Sequence, residues 1–307
     1  MQAVLPLRRC IVNPNSNQRK PTLIGFTAVL MWATLALLTK LSGPMPPFQL
    51  TAMAFTVAFA IGVATWVRSG GNPLHYLKLP YAVWALGITG LFGYHLFYFI
   101  ALSQAPAVEA SLVAYLWPLL IVCFSALLPG ERLRWFHGAG ALLGFTGAGL
   151  LITQGQSLSF EPQYIPGYLA ALVCALIWSS YSLLSRRFGA IPTNAVGGFC
   201  GATAGLAWVC HLGFETTVMP QDSEWLAIFA LGLGPVGLAF FTWDYGVKHG
   251  NIKVLGALSY LAPLFSTLLL IAAGLAEATW SVGLACLLIV GGALLASLDF
   301  FRPRILE

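Results

Sequence analysis

The sequence predicts an all-α membrane protein with ten transmembrane helices, arranged as two inverted five-helix repeats around a central cavity, with both termini in the cytoplasm. Three observations support this fold class. The 307-residue chain is 58% hydrophobic and only 8% charged, whereas soluble domains carry about 25% charged residues. Ten apolar runs are each long enough to cross a bilayer. The second half of the chain also repeats the first.

The ten apolar runs are separated by short segments rich in Gly, Pro and charged residues, which are typical of turns and loops. A helix needs about 20 mostly apolar residues to cross the hydrocarbon core. No connecting segment is long enough to hold a soluble domain. The predicted spans are residues 22–41, 48–67, 81–102, 107–128, 135–153, 165–185, 194–213, 225–247, 254–275 and 279–300.

An internal repeat divides the chain into two units. Residues 31–40 (MWATLALLTK) recur as residues 177–186 (IWSSYSLLSR). Residues 114–120 (AYLWPLL) recur as residues 259–265 (SYLAPLF), so the two offsets are 146 and 145 residues. In a chain this apolar, such a repeat is typical of transporters whose halves rock around a shared site. The predicted organisation is a basic tail (1–21), two five-helix repeats (22–154 and 155–300) and a second tail (301–307).

The distribution of basic residues orients the chain. If the N-terminal tail is cytoplasmic, 14 of the 15 Lys and Arg residues fall on the cytoplasmic side, and Lys40 is the exception. Cytoplasmic loops carry such an excess of positive charge. The first twenty residues lack the apolar core of a cleaved signal peptide. Because each repeat has five helices, an odd number, the second must run through the membrane in the opposite direction.

Composition excludes several function classes. The net charge of +5 comes from scattered basic residues that form no continuous basic face, so we expect no nucleic-acid binding. The six cysteines show no metal-ligand spacing, and we expect neither a metal nor a cofactor. An intramembrane enzyme would need a nucleophile with its base, or metal ligands, at bilayer depth. No such cluster is evident, so this class remains a distant alternative and we expect no catalytic residue.

Polar and aromatic groups at bilayer depth are the candidates for a substrate site, because polar groups there are costly and usually face a cavity or another helix. The third span contains residues 93–99 (GYHLFYF). Tyr94, His95 and Tyr98 are spaced so that they share one broad face of a helix. The alternative is that the tyrosines pack between helices and the histidine bonds to a neighbour.

The fourth and ninth spans each combine a proline with aromatic residues. Tyr115 and Trp117 precede Pro118, and Tyr260 precedes Pro263 at the equivalent repeat position. Proline removes a backbone hydrogen bond and kinks a helix, which can turn carbonyls towards a cavity. We therefore predict that these aromatic residues line a central cavity, with a packing kink as the alternative.

Two further pairs of residues correspond across the repeat. Trp32 and Trp178 lie midway along the first and sixth spans, where tryptophan is unusual outside a protein interior or cavity wall. We place Trp178 in the predicted cavity. Lys40 and Arg186 end the same two spans on opposite faces and could bind a substrate carboxylate or latch a gate. The alternative is that both side chains extend to the membrane surface.

Together these features resemble the drug/metabolite transporter superfamily and, within it, the EamA-type members. The resemblance covers residues 22–300 and includes W-x7-K in WATLALLTK, L-x-P in LWPLL and LAPLF, and the glutamate of PGERL. More narrowly, the aromatic cluster is similar to that of YddG-type exporters of bacterial inner membranes. The resemblance implies export of aromatic and other neutral amino acids through a central cavity.

Other branches of the superfamily fit the residues less well. Carriers of phosphorylated solutes need basic residues in span centres, and small multidrug pumps need a carboxylate in the first span; neither is present here. An apolar, aromatic cavity suits a neutral or zwitterionic small molecule. We expect alternating-access export from a multi-pass monomer or homodimer in the lipid bilayer of a bacterial inner membrane. Efflux of a drug or another small metabolite is the alternative.

Overall fold

The computed structural model describes residues 16–70, 73–129, 131–158 and 160–301. Most of the two predicted tails therefore lies outside the described residues. Within them the chain is helical, with short 3₁₀ turns and two π-helical segments. The α-helices are α1 (Ser16–Trp32), α2 (Leu35–Leu41), α3 (Pro47–Arg68), α4 (Tyr81–Ile88), α5 (Tyr94–Gln104), α6 (Ala107–Ala114), α7 (Trp117–Phe124), α8 (Trp135–Thr153), α9 (Ile165–Arg187), α10 (Val196–Phe214), α11 (Asp222–Leu233), α12 (Ala239–His249), α13 (Ile252–Leu258), α14 (Leu261–Ala272), α15 (Trp280–Ala296) and α16 (Leu298–Phe301).

Nine stretches of these described residues are helical, long and apolar enough to cross a membrane. Numbered in chain order, spans 1 to 9 are Gln18–Leu41, Pro47–Arg68, Tyr81–Gln104, Ala107–Leu127, Trp135–Thr153, Pro162–Arg187, Thr193–Phe214, Asp222–His249 and Ile252–Ala272. The tenth predicted run forms the apolar helix α15, which has 17 residues. Helix α15 ends at Ala296, and the chain turns at Ser297 before α16. The all-helical membrane fold predicted from the sequence is confirmed.

Three spans are interrupted by a turn. Span 1 breaks at Ala33 and Thr34, span 4 at Tyr115 and Leu116, and span 9 at Ser259 and Tyr260. The prolines explain the second and third breaks. A proline ring clashes with the carbonyl four residues earlier. Ala114, four residues before Pro118, is the last residue of α6, and Ser259, four residues before Pro263, directly follows the last residue of α13. Each proline then sits in the first turn of the next helix, where proline is well tolerated.

Spans 3 and 8 each contain a five-residue π-helical segment. These segments are Thr89–Gly93 and Gly234–Leu238, and they are separated by the same 145 residues as the sequence repeat. A π-helical segment leaves its carbonyls outside the regular α-helical hydrogen-bond pattern and often occurs at functional sites. The breaks of spans 4 and 9 and the π-helical segments of spans 3 and 8 thus recur with the repeat, whereas span 6, the equivalent of span 1, is an unbroken helix.

Helices of the two halves pack against each other in matching pairs. Helix α3 packs on α10, α8 on α15 and α7 on α13, while α1 packs on α12 and α5 on α9. Glycines permit the closest approaches, as is common between membrane helices. A Cβ added to Gly62 would lie 2.5 Å from the Cα of Gly197, and one added to Gly140 would lie 2.5 Å from the carbonyl oxygen of Gly292.

The two ends of the bundle are packed very differently. Helices α5 and α12 are repeat equivalents of eleven residues each, yet six residues of α12 are buried and only Ala101 of α5 is. All nine residues of 92–100, which are the first seven residues of α5 and the two before it, are half-buried, so no face of this part of α5 is fully buried. Helix α13 likewise buries six consecutive residues, 252–257, whereas its equivalent α6 buries two. The bundle is therefore tightly packed at the end that carries Arg186 (the Arg186 end) and more loosely packed at the opposite end (the Lys40 end), and we refer to these two ends as closed and open in this sense.

Candidate functional site

Four tryptophans from spans 1, 4, 6 and 8 meet at the centre of the bundle. All six pairs of their ring centroids lie between 5.0 and 6.3 Å apart. Edge-to-face and offset contacts at such distances each add about 0.5–1.5 kcal/mol beyond the area they bury. We call this group the tryptophan cluster; it consists of Trp32, Trp117, Trp178 and Trp243.

Two indole N–H groups of the cluster find acceptors on irregular or polar parts of neighbouring helices. Trp32 Nε1 donates to the carbonyl of Pro235, at 3.0 Å, within the π-helical segment of span 8. Trp243 Nε1 donates to Ser182 Oγ at 3.1 Å. Buried tryptophans need such partners. The cluster thereby fixes spans 1, 6 and 8 relative to one another.

The three aromatic residues predicted in span 3 do share one region next to the cluster. The rings of Tyr94 and Tyr98 are stacked, with centroids 6.1 Å apart, and Tyr94 lies 5.8 Å from Trp178. The hydroxyl of Tyr98 is 3.2 Å from Ser111 Oγ in span 4. Because these tyrosines are half-buried and lie towards the Lys40 end, they extend the aromatic surface from the cluster into the open half.

His95 is held by its own helix. Its Nδ1 lies 2.7 Å from the carbonyl oxygen of Leu91, and its ring lies edge-on to Phe55 at 5.3 Å. A carbonyl only accepts hydrogen bonds, so Nδ1 carries a proton and Nε2 remains as the second ring nitrogen. The side chain is half-buried, beside Tyr94.

The aromatic residues at the breaks of spans 4 and 9 occupy distinct surroundings. Tyr115 is half-buried and its ring lies 6.4 Å from that of Trp117. Tyr260 is fully buried, and its hydroxyl accepts the backbone N–H of Leu119 at 3.1 Å. Leu119 is in the first turn of α7, where backbone N–H groups lack partners within the helix. Tyr260 therefore joins the two breaks rather than facing the open half in this conformation.

Arg186 and Lys40, equivalent in sequence, have opposite environments. Arg186 Nη2 lies 3.0 Å from Glu131 Oε1, and its Nη1 donates to the carbonyl of Gly250 at 2.9 Å. Lys253 Nζ lies 2.8 Å from the second oxygen of Glu131. We call Glu131, Arg186 and Lys253 the ion network. Lys40 is exposed and makes no ion pair or hydrogen bond with a described residue.

A second buried ion pair strengthens the Arg186 end. Lys248 Nζ lies 2.8 Å from Asp244 Oδ2, and the hydroxyl of Thr193 donates to the same oxygen at 2.7 Å. Lys248 also donates to the carbonyl of Ile191 at 3.0 Å. These contacts attach α12 to Ile191 and to Thr193, at the start of span 7. Breaking them would leave charges buried without partners, which is costly.

Several central residues were not among the sequence-predicted site residues. Trp32 and Trp243 complete the tryptophan cluster, and the sequence signal for Trp243 is that it occupies the repeat position of Tyr98. Glu131 was noted only as part of a family motif. Its partner Arg186 is 55 positions away in the chain, so no local pattern indicates their contact.

The described residues include no group of three or more His, Cys, Asp or Glu side chains that could hold a metal ion. Among the pockets formed by the described residues, two lie at the edge of the bundle, away from the aromatic surface. One of about 330 Å³ lies between spans 1 and 9, and one of about 380 Å³ lies between spans 4 and 5 and α15. Both are lined mostly by apolar side chains.

An all-helical bundle of apolar spans, with broken helices around an aromatic centre, is typical of multi-pass membrane transporters. Residues 19–153 and residues 165–298 each match the EamA-like transporter family. The chain belongs to this family. It is a multi-pass transporter of the bacterial inner membrane.

The chain is similar to several known proteins, including exporters and a protein of known structure. The chain is 57% identical to the aromatic amino acid exporter YddG of Ancylobacter novellus over 278 residues, which are 90% of this chain and 96% of that protein. It is 26% identical to the aromatic amino acid exporter YddG of Escherichia coli strain K12, over 91% of this chain and 97% of that protein. A solved crystal structure is 56% identical, covers 93% of this chain and 100% of its own, and has a TM-score of 0.88.

Proposed function

We propose that this chain exports aromatic and other neutral amino acids from the cytoplasm by alternating access. The observation that carries the proposal is its 57% identity, over 90% of its length, to a protein named an aromatic amino acid exporter. The continuous surface of tyrosine and tryptophan rings between the open half and the centre of the bundle fits such substrates. Ring stacking selects an aromatic side chain, and an aromatic face attracts an ammonium group.

The binding surface that we propose comprises the seven aromatic residues predicted from the sequence, together with two further tryptophans. Tyr94, His95, Tyr98 and Tyr115 would contact substrate entering from the Lys40 end. Trp117 and Trp178, with the rest of the tryptophan cluster, would form its floor. Tyr260 would act by holding the breaks of spans 4 and 9 together. The residues are Tyr94, His95, Tyr98, Tyr115, Trp117, Trp178, Tyr260, Trp32 and Trp243.

The same proposal includes two inverted repeats, residues 22–154 and 155–300, with ten spans and both termini cytoplasmic. Its support is the double match to the family, the recurrence of the breaks of spans 4 and 9 and of the π-helical segments of spans 3 and 8, and the matched packing of the halves. Helix α15 would be the tenth span. Its 17 residues extend about 26 Å at 1.5 Å per residue, close to the roughly 30 Å core of a bilayer.

With this orientation, the Arg186 end faces the cytoplasm and the Lys40 end faces the periplasm. The conformation is then outward-open. Export requires the opposite conformation to load substrate, so the packing of α12 and α13 must loosen while that of α5 and α6 tightens. The breaks in spans 1, 4 and 9 and the π-helical segments are suitable hinges, because their backbone is already irregular. One chain carries the whole proposed pathway, so a monomer or homodimer would suffice.

The proposal is tested by efflux from bacterial cells preloaded with labelled phenylalanine. Cells that produce the protein should release the label several-fold faster than cells with an empty vector. Replacing both Tyr98 and Trp117 by Ala should abolish the gain, whereas Trp135→Ala, at a surface position that is 76% exposed, should keep it. Equal efflux with and without the protein would refute amino acid export and favour the efflux of a drug or another metabolite, which a wider solute panel would identify.

A further inference from the structure

We propose that Lys40 and Glu277 form an ion pair at the Lys40 end when the carrier opens at the Arg186 end. This pair would be the repeat equivalent of the Arg186–Glu131 pair, which is formed in the present conformation. The two pairs would then act as alternating latches, one formed whenever the other is broken. The inference rests on the proposed alternating access but assigns a specific contact that is absent from this conformation.

The ion network shows what such a latch does. Glu131 lies in the segment between spans 4 and 5. Its Oε1 atom lies 3.0 Å from Nη2 of Arg186, which is near the end of span 6. The second carboxylate oxygen of Glu131, Oε2, lies 2.8 Å from Nζ of Lys253, at the start of span 9. The hydrogen bond between Arg186 and Glu131 is charge-assisted, because both groups are ionised. The two side chains are only 20% and 16% exposed, so this bond is largely shielded from water. Movement of these three segments away from one another would separate these charges.

The repeat places the same charges at the opposite end. Arg186 corresponds to Lys40, since the matching stretches that end in these residues are offset by 146 positions. Glu131 lies four residues before α8, and Glu277 lies three residues before its repeat equivalent α15. Each half of the chain thus contributes one cation at the end of its first span and one carboxylate before its fifth.

The pair at the Lys40 end is unformed here. Lys40 and Glu277 are both exposed, and neither makes a hydrogen bond or ion pair with a described residue. Helix α2, which carries Lys40, has no buried residue. A formed latch at the packed end and separated charges at the open end are what alternating latches require.

Glu224 is the competing partner for Lys40. Its carboxylate lies against Gly43, close to Lys40 in the chain. However, Glu224 Oε2 already accepts the backbone N–H of Gln221 at 2.8 Å and so caps the start of α11. Because the carboxylate of Glu224 already serves as a helix cap in this conformation, we use Glu224 as a matched control for Glu277, another acidic residue at the same end.

The two latches are unequal. Glu131 binds two cations, but the position equivalent to Lys253, the second residue of α13, is Val108, the second residue of α6. The latch at the Lys40 end would therefore consist of one ion pair. A single, more exposed ion pair stabilises less than a shielded carboxylate between two cations. This difference would favour the conformation with the Arg186 end closed.

The test uses the full chain in liposomes, with its six native cysteines replaced by Ala and one reporter cysteine at Val247, which is fully buried at the Arg186 end. A water-soluble maleimide reaches this reporter only when that end opens. Ala190→Cys, exposed at the same end, gives the labelling rate of an open site. Glu131→Gln should raise labelling of the Val247 reporter about five- to tenfold.

Lys40→Glu and Glu277→Lys should each lower reporter labelling about fivefold, because the state open at the Arg186 end loses its latch. The double variant with Lys40→Glu and Glu277→Lys should restore the labelling of the reporter, and Glu224→Gln should leave that labelling unchanged. If a charge reversal impairs folding, Lys40→Gln and Glu277→Gln give the same direction of change. Unchanged labelling in the single variants, or no recovery in the swap, would overturn the latch. If labelling behaves as expected but no amino acid is transported, the latch stands and the proposed substrate class fails.

Discussion

Trp32 lies edge-on to Trp178, with ring centroids 5.6 Å apart and planes at 75°. These two residues hold the same position in the two halves of the sequence, so the halves meet at this contact. Their neighbours break the symmetry. Trp117 has Ala262 as its repeat equivalent, and Trp243 has Tyr98. The centre of the carrier is thus two-fold in its backbone and asymmetric in its aromatic surface.

Replacing Trp32 by Phe tests the anchoring of the tryptophan cluster. The smaller ring keeps most of the packing but leaves the buried carbonyl of Pro235 without its donor, which costs about 1–3 kcal/mol in the free energy of unfolding. We expect a lower melting temperature for the purified protein in detergent, measured by intrinsic fluorescence. The same substitution at Trp135, which is 76% exposed, should have little effect. A Trp32→Phe protein as stable as the parent would show that the bond to Pro235 contributes nothing.

Two glycines of α10 should respond oppositely to alanine. A Cβ on Gly197 would lie 2.7 Å from the Cα of Gly62, whereas a Cβ on Gly205 meets no atom within 4 Å. Gly197→Ala should force α3 and α10 apart and destabilise the protein by about 1–3 kcal/mol. Gly205→Ala should stabilise it by about 0.5–1 kcal/mol, through higher helix propensity alone. Thermal unfolding of both variants in one detergent checks this, and equal shifts would contradict the close approach.

Removing the hydroxyl of Tyr260 tests the link between the breaks of spans 4 and 9. Tyr260→Phe leaves the N–H of Leu119 without a partner at a buried helix start, at a cost of about 1–3 kcal/mol. Because these spans must move during transport, we also expect a changed transport rate. Tyr81→Phe, at a position that is 94% exposed, is the control. Unaltered stability and transport in the Tyr260 variant would remove this link from the mechanism.

Two substitutions at Tyr98 separate the ring from the hydroxyl. Tyr98→Phe loses only the contact with Ser111 and should change the apparent KM for tryptophan about threefold or less, a difference of about 0.7 kcal/mol at 1.4 kcal/mol per tenfold. Tyr98→Ala removes the aromatic face stacked on Tyr94 and should raise the apparent KM at least tenfold. Initial rates over a range of tryptophan concentrations distinguish the two. Similar KM values for the alanine variant and the parent would place substrate elsewhere.

The sequence predicted the helical membrane fold because apolar runs of about 20 residues have one stable arrangement in a bilayer, the helix. It also indicated the irregular regions around Pro118 and Pro263, since proline acts through local chain geometry. The break at Ala33 and Thr34 has no proline and no other local signal. The π-helical segments were not predicted either, although the one in span 8 contains Pro235, a residue that removes a backbone hydrogen bond.

The same distinction applies to the candidate site. Tyr94, His95 and Tyr98 could be grouped from helical spacing alone, and the structure places them together. The ion network could not be predicted, because Glu131, Arg186 and Lys253 come from three distant parts of the chain. Nor could the sequence show that Arg186 is paired while Lys40 is exposed. That difference depends on which end of the bundle is closed, and the two halves have nearly the same residue pattern.

The most direct test of the proposed function is counterflow with the purified full-length protein in liposomes. Vesicles loaded with unlabelled tryptophan should accumulate external labelled tryptophan above its equilibrium level, and excess phenylalanine outside should suppress this accumulation. Vesicles without protein, or with the Tyr98→Ala and Trp117→Ala double variant, should not accumulate the label. Failure of the intact protein to accumulate tryptophan or any other neutral amino acid would contradict the proposed function.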